Sequence, residues 1–132
     1  IVAGTFTTGS TNNVNFQFNG DTGSNYSWTR LLGSGSAASS ARGTSDLEIN
    51  VGLISSTAQS NTIAHIQNYS NATTYKTILS RYNSLDSSDG RTGAYVNLTR
   101  ATTAVTSLLI DLSTANNFIS GSTFSLYGIA SA

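Results

Sequence analysis

The side chains of this 132-residue chain that could carry chemistry are few and widely spaced: six are acidic, six are basic, one is a histidine, and none is a cysteine. His65 lies between Ala64 and Ile66, and a metal site there would need ligands that converge from elsewhere in the chain. The acidic candidates for such a site are Asp46, Glu48 and Asp111. No pair of them has a recognisable metal-ligand spacing, so the preferred interpretation is a structural histidine.

Two short motifs superficially resemble those of proteases. Asp21-Thr-Gly-Ser24 resembles the aspartic protease triplet, which follows an apolar strand in those enzymes. Here it follows Asn19-Gly20, so a β-turn is the simpler interpretation. Ile1-Val-Ala-Gly4 resembles the processed N-terminus of trypsin-like proteases, but the catalytic set that those enzymes need is not recognisable around His65.

Acidic residues offer two further alternatives. Asp86, Asp89 and Gly90 resemble the start of a calcium loop, but Asn97 stands where the closing glutamate belongs. A glycosidase or another small hydrolase would need a paired carboxylate cleft or His65 beside a carboxylate, and six acids placed mostly at turns argue against both. We therefore expect a chain that is not an enzyme, with no catalytic residues, no metal and no cofactor.

Tyrosines are the remaining candidates for a binding surface. The residues that we single out for glycan or partner contact are Tyr69, Tyr75, Tyr82 and Tyr95. Exposed rings on one flat patch would stack on sugars, and the neighbouring Asn and Ser side chains would hydrogen-bond hydroxyl groups. Strand alternation explains the same residues equally well as core, so both interpretations remain open.

Composition limits the architecture that positions these residues. Formal net charge is zero, so the sequence predicts no basic face for nucleic acid, and it contains no apolar run long enough to insert into a membrane. Ser, Thr, Asn and Gly are frequent and are mixed with recurring aromatic and β-branched residues, which is typical of an all-β protein with many turns. The length suits one domain, which we place at 1–132.

Period-2 alternation predicts the strands. It is clearest at Val14–Phe18, and Asp46–Gly52 follows the same pattern. Two segments, 63–69 and 75–82, are predicted to form a hairpin. Segment 105–112 is apolar on both faces and is predicted to be a central strand. Gly33–Gly43 is predicted to be a long loop.

The closing segment, Gly121–Ala132, also alternates, and we expect it to be a strand tucked into a sheet. About nine strands with no helical period indicate an antiparallel two-sheet β-sandwich of jelly-roll type. The predicted core consists of Phe16, Phe18, Trp28, Leu47, Ile49, Val51, Leu108, Ile110, Phe124 and Leu126.

The ending Gly-Ser-Thr-Phe-Ser-Leu-Tyr-Gly-Ile129 resembles that of small tailed-bacteriophage virion proteins. Phe18-Asn-Gly-Asp21 with Tyr26 is similar to an early element of that family. Asn68-Tyr69 with Tyr75-Lys-Thr77 is similar to a second element. The segment 98–105 is similar to a third, although the tryptophan that commonly precedes it there is absent here.

That resemblance implies a virion β-domain located at the surface of a phage particle. It implies a capsid decoration or cement protein, or a head-fibre knob, with other virion proteins as partners and a homo-oligomer in which a trimer is favoured. The alternative is a tail-fibre adhesin on the same scaffold that binds host surface glycan.

Overall fold

The computed structural model describes residues 1–7, 9, 11–86 and 89–129, and these residues form ten strands and no helix. The strands are β1 (Val2–Gly4), β2 (Thr11–Phe18), β3 (Tyr26–Ser34), β4 (Ala37–Asp46), β5 (Ile49–Ser55), β6 (Ser60–Ile66), β7 (Lys76–Asp86), β8 (Asp89–Thr99), β9 (Leu108–Leu112) and β10 (Thr123–Phe124). The prediction of an all-β protein is confirmed.

Two antiparallel sheets of unequal width make up the sandwich. The larger has seven strands in the order β10-β1-β6-β7-β8-β3-β4, and the smaller has three in the order β5-β2-β9. The predicted two-sheet sandwich is therefore confirmed, whereas the jelly-roll connectivity stays a prediction. The predicted hairpin is also confirmed, since β6 and β7 pair from Asn61↔Asn83 to Ile66↔Ile78.

The main core lies between the sheets. Val14, Phe16 and Phe18 alternate along β2 and are all buried, as their period-2 spacing predicts. Ile49 and Val51 of β5 are completely buried and belong to the same cluster. Trp28, Leu108 and Ile110 are only partly buried and pack against the two core clusters.

A second, smaller core continues along the inner face of the large sheet. Tyr82 and Tyr95 are 3% and 2% exposed and pack with Leu53. Their ring centroids are 5.8 Å apart, and Trp28 meets Tyr95 edge-on at 5.6 Å. This aromatic cluster brings together strands β3, β7 and β8, because all three rings point to the same side of the sheet.

The region predicted to be a loop, Gly33–Gly43, is instead most of a long hairpin. β3 and β4 pair continuously from Ser27↔Thr44 to Ser34↔Ala37, and Gly35 at φ 56° supplies the turn. The alternation in β4 is hidden because its residues are mainly small or polar. Pairing with β3 satisfies its backbone, so the strand forms without a strong side-chain pattern of its own.

Three of the predicted core residues are exposed. Leu47 is 56% exposed because it lies in the bend between β4 and β5, shortly after Ser45 near the end of β4, which has a φ of 61°. Phe124 and Leu126 are 47% and 79% exposed. Among the described residues of the closing segment only Thr123 and Phe124 pair in the sheet, and they form its edge strand, β10. β9 was predicted to be central, but it lies at the edge of the small sheet, with Leu109 on its outer face 52% exposed.

Candidate functional site

The residues first considered for catalysis or metal binding are not brought together. His65 is exposed on β6, and no group of three or more His, Asp, Cys or Glu side chains suited to a metal ion occurs in the described part of the chain. The segment that resembles the start of a calcium loop includes residues 87–88 and the Asp86 side chain, which lie outside the described residues.

The Asp21 motif forms a turn. One carboxylate oxygen of Asp21 accepts a hydrogen bond from the Gly23 backbone N–H at 2.8 Å, and Asn25 Nδ2 donates to the other at 2.9 Å. A carboxylate that accepts the N–H two residues later is the usual geometry of an Asx turn. The carboxylate is therefore engaged within its own turn, which agrees with the simpler interpretation of the sequence.

The four tyrosines divide into two pairs. Tyr69 and Tyr75 are 46% and 52% exposed, and both lie in the connection between β6 and β7. Asn71 orders this connection: its Oδ1 accepts hydrogen bonds from the backbone N–H groups of Thr73 and Thr74 at 2.7 and 2.9 Å. An ordered loop that presents exposed rings is suited to stacking.

Tyr82 and Tyr95 lie in the interior, so of the two interpretations left open for the tyrosines this pair follows the core one and is not part of an exposed patch. Burial raises the pKa of Tyr82 to about 12. Burial likewise raises the pKa of Tyr95, while a hydrogen bond from Arg30 acts in the opposite direction. The Tyr82 hydroxyl is buried without a protein hydrogen-bond partner, so its side chain contributes to packing rather than to recognition.

Two anchors that the sequence analysis missed hold the irregular segment 100–107. Lys76 is fully buried, and its Nζ donates hydrogen bonds to the carbonyl oxygens of Thr74 and Thr102, the latter at 2.5 Å. Asn19 Oδ1 accepts from the backbone N–H groups of Thr106 and Ser107 at 2.8 and 3.1 Å. A cavity of about 230 Å³ lies between these anchors. Because both anchors bind backbone groups of the same chain, we assign them a structural role.

The outer face of the large sheet carries an apolar surface, which we call the outer patch: Leu31, Leu79 and Val96. These side chains are 62%, 48% and 54% exposed. Leu79 and Val96 are direct cross-strand partners, and Leu31 lies diagonal to Val96 because it pairs with Ala94. Three large apolar side chains on neighbouring strands form one surface, and such surfaces usually mark contacts with other molecules.

A second apolar surface lies where the two sheets meet at their edges. An apolar cleft of about 250 Å³ is lined by Ile1, Val2, Phe16, Ala64, Ile66, Leu108, Ile110, Phe124, Ser125 and Leu126. Beside it runs the C-terminal arm, Leu126–Ile129, in which Leu126, Tyr127 and Ile129 are 79%, 74% and 81% exposed. The arm shows no regular secondary structure.

Comparisons with known proteins add no relative to this picture. No protein-family model, no curated protein and no solved structure matches the chain. Among the described residues, no helix long and apolar enough to cross a membrane is found.

Proposed function

We propose that this chain is a non-enzymatic structural protein of a bacteriophage particle, a capsid decoration or cement protein or the knob of a head fibre. The observation that carries the proposal is the outer patch. The solvated face of an antiparallel sheet is normally polar, whereas here Leu31, Leu79 and Val96 are about half exposed on it. The likeness of the Gly121–Ile129 ending to phage virion proteins supports the same proposal.

The outer patch suits attachment to another virion protein. Arg42 and Arg81 are exposed on the same face of the sheet, in the rows that contain Val96 and Leu31. The partner surface would then be apolar at its centre and acidic at its rim. A homo-oligomer, with a trimer favoured, would repeat the contact on a symmetric shell and so turn modest contacts into strong attachment at the particle surface.

Immunogold labelling of virions of the encoding phage, with antibody against this chain, tests the proposal. Gold in a regular array over the head supports a decoration or cement protein, and gold at head fibres supports a knob. Label confined to the tail tip would refute a head location and favour a role in host recognition. Unlabelled particles, both intact and opened, would refute a virion role.

A matched pair of variants tests the outer patch itself. Leu79→Asp places a charge in the patch and is expected to reduce incorporation into particles. Asn83→Asp places the same charge on the same strand, at an exposed position outside the patch, and is expected to leave incorporation unchanged. Equal incorporation of both variants would show that the outer patch is not the attachment surface.

A glycan-binding adhesin is the second candidate function, and the exposed pair Tyr69 and Tyr75 on one ordered loop favours it. In this case Tyr69→Ala and Tyr75→Ala should each weaken binding to host surface polysaccharide. Tyr127→Ala, which removes an even more exposed ring elsewhere, is the control. Equal binding by all three variants and the unmodified chain would exclude this site.

A further inference from the structure

We infer that the C-terminal arm of one copy seats in the apolar cleft of a second copy, so that the protein assembles by exchanging arms. The inference specifies the contact behind the oligomer in the proposed function, and it rests on that function only for its biological setting. Two complementary surfaces of the same chain carry it.

The arm is an apolar segment whose side chains are mostly exposed to solvent. Leu126, Tyr127 and Ile129 each expose about three quarters or more of their side chains within four consecutive residues. Soluble proteins tolerate single exposed apolar residues, but a concentration of this kind marks a contact surface. The arm also contains no charged residue, so its transfer into an apolar site requires no ion to lose its water.

The cleft offers the matching surface. Its walls come from both sheets: Ile66 belongs to β6 of the large sheet, whereas Leu108 and Ile110 belong to β9 of the small sheet. Its lining is predominantly apolar and contains no charged side chain. In the described part of the chain β9 pairs only with β2, so the cleft opens beside an unpaired strand edge, which can receive an extended segment.

The arm starts at the mouth of its own cleft but does not fill it. The Ser125 N–H donates to the Ile1 carbonyl oxygen at 2.9 Å, and the Ile1 amino group donates to the Ser125 carbonyl oxygen at 2.7 Å. These bonds hold the chain at the mouth of its own cleft. Leu126 therefore touches the rim, yet remains 79% exposed, and Ile129 beyond it is 81% exposed.

The area available is that of a small contact between copies. Besides the three arm residues, Ile1 and Phe124 at the rim are 45% and 47% exposed. Taking about 200 Å² for a large side chain, the three arm residues of one copy offer roughly 470 Å² and the two rim residues of the other copy add roughly 180 Å² to its cleft. The arm alone therefore supplies somewhat more than half of the ~800 Å² per partner of a standard interface. Arm and cleft are different surfaces, so the contact is head-to-tail and closes into a ring when the rotation permits.

The mass of the protein in solution tests the inference. At high micromolar concentration the unmodified chain should have a mass that is a multiple of 13.7 kDa by sedimentation velocity. The arm variant, Leu126→Ser with Tyr127→Ser and Ile129→Ser, should sediment as a monomer. Because these side chains are exposed, its circular dichroism spectrum should match that of the unmodified chain.

The matched control changes the outer patch in the same way. Leu31→Ser with Leu79→Ser and Val96→Ser removes three apolar side chains of similar exposure, and it should keep the oligomer mass. A monomeric unmodified chain, or an arm variant that keeps the oligomer mass, would overturn the inference. Loss of the oligomer in the outer-patch variant alone would also overturn it.

A cross-link distinguishes arm exchange from other contacts. The chain has no cysteine, so Ile129→Cys and Ile66→Cys each introduce a single thiol, the first on the arm and the second in the cleft. Mixing the two variants under oxidising conditions should yield a mixed disulfide dimer, and replacing Ile66→Cys by Leu31→Cys should abolish it. Equal yields from both mixtures would show random collision and refute the geometry.

Failure of this inference and failure of the proposed function give different results. If the antibody labels virions but the purified protein is monomeric, the virion role stands and arm exchange is refuted. If the protein exchanges arms but the antibody labels no part of the particle, arm exchange stands and the virion role is refuted.

Discussion

Replacing Gly93 with alanine is expected to destabilise the protein specifically through the Tyr82 ring. A Cβ atom at position 93 would lie 2.6 Å from Cε1, Cζ and the hydroxyl oxygen of Tyr82. The ring cannot move aside freely, because Tyr82 is only 3% exposed and packs against Tyr95 at 5.8 Å. The clash must therefore be relieved by displacing packed core groups.

The expected magnitude follows from two opposing contributions. Overpacking of a filled core costs about 1–3 kcal/mol, and Gly→Ala within a strand returns roughly 0.5–1 kcal/mol through a less flexible unfolded chain. We expect the free energy of unfolding to fall by about 1.5 kcal/mol. Gly90→Ala, on the same strand with no atom within 4 Å of its Cβ, should leave stability unchanged or raise it slightly.

Urea denaturation followed by Trp28 fluorescence is the appropriate assay. Trp28 is the only tryptophan, and its ring meets Tyr95 at 5.6 Å, so the signal reports on the affected cluster. Tyr82→Leu lacks the clashing atoms, and in that background Gly93→Ala should cost nothing. An equal cost of Gly93→Ala in both backgrounds, or an equal effect of Gly90→Ala, would refute the steric explanation.

Three further predictions concern Tyr82, Asn19 and Lys76. Burial raises the folded-state pKa of Tyr82 from 10.0 to about 12. The free energy of unfolding should therefore be unaffected by this group below pH 10 and should fall by about 2–3 kcal/mol as the pH rises from 10 towards 12. An equal decline with pH in Tyr82→Phe would contradict this explanation. Asn19→Ala removes the anchor of segment 104–107 and places alanine at a φ of 54°, and it should cost about 1–2 kcal/mol by thermal denaturation, against no change for the exposed Asn117→Ala. Lys76→Ala empties a fully buried site and frees two carbonyl groups, and it should lower the urea midpoint by the equivalent of about 2–5 kcal/mol; a midpoint as high as that of the exposed Arg100→Ala would argue against an anchoring role.

The sequence was informative where alternation coincided with burial. Val14, Phe16 and Phe18 could be placed in the core because one face of β2 packs into the core between the two sheets and the other is polar. β4 shows the limit of this approach. Small residues pack adequately next to a paired strand, but they carry no periodic signal, and pairing across the hairpin is decided by the backbone.

Apolar segments misled for a different reason. Leu109, Leu126 and Ile129 have the composition of core residues and yet are 52–81% exposed. The apolar character of a side chain predicts that it will be buried, but it does not show whether it is buried within the same chain or against another molecule. The division of the tyrosines has a similar origin: Tyr75 precedes β7 and Tyr82 lies within it on the inner face, a difference of position that composition cannot reveal.

The order of strands in the large sheet has a consequence for the sequence of folding events. β6, β7 and β8 form a continuous meander within residues 60–99, so their contacts close short loops, whereas β1 pairs with β10 across more than 110 residues of chain. Local pairings form first and long loops close late. Amide hydrogens of β7 and β8 should therefore exchange slowest with deuterium, and those of β1 and β10 fastest. The strands bordering the arm would then open and re-close many times within the lifetime of the folded meander.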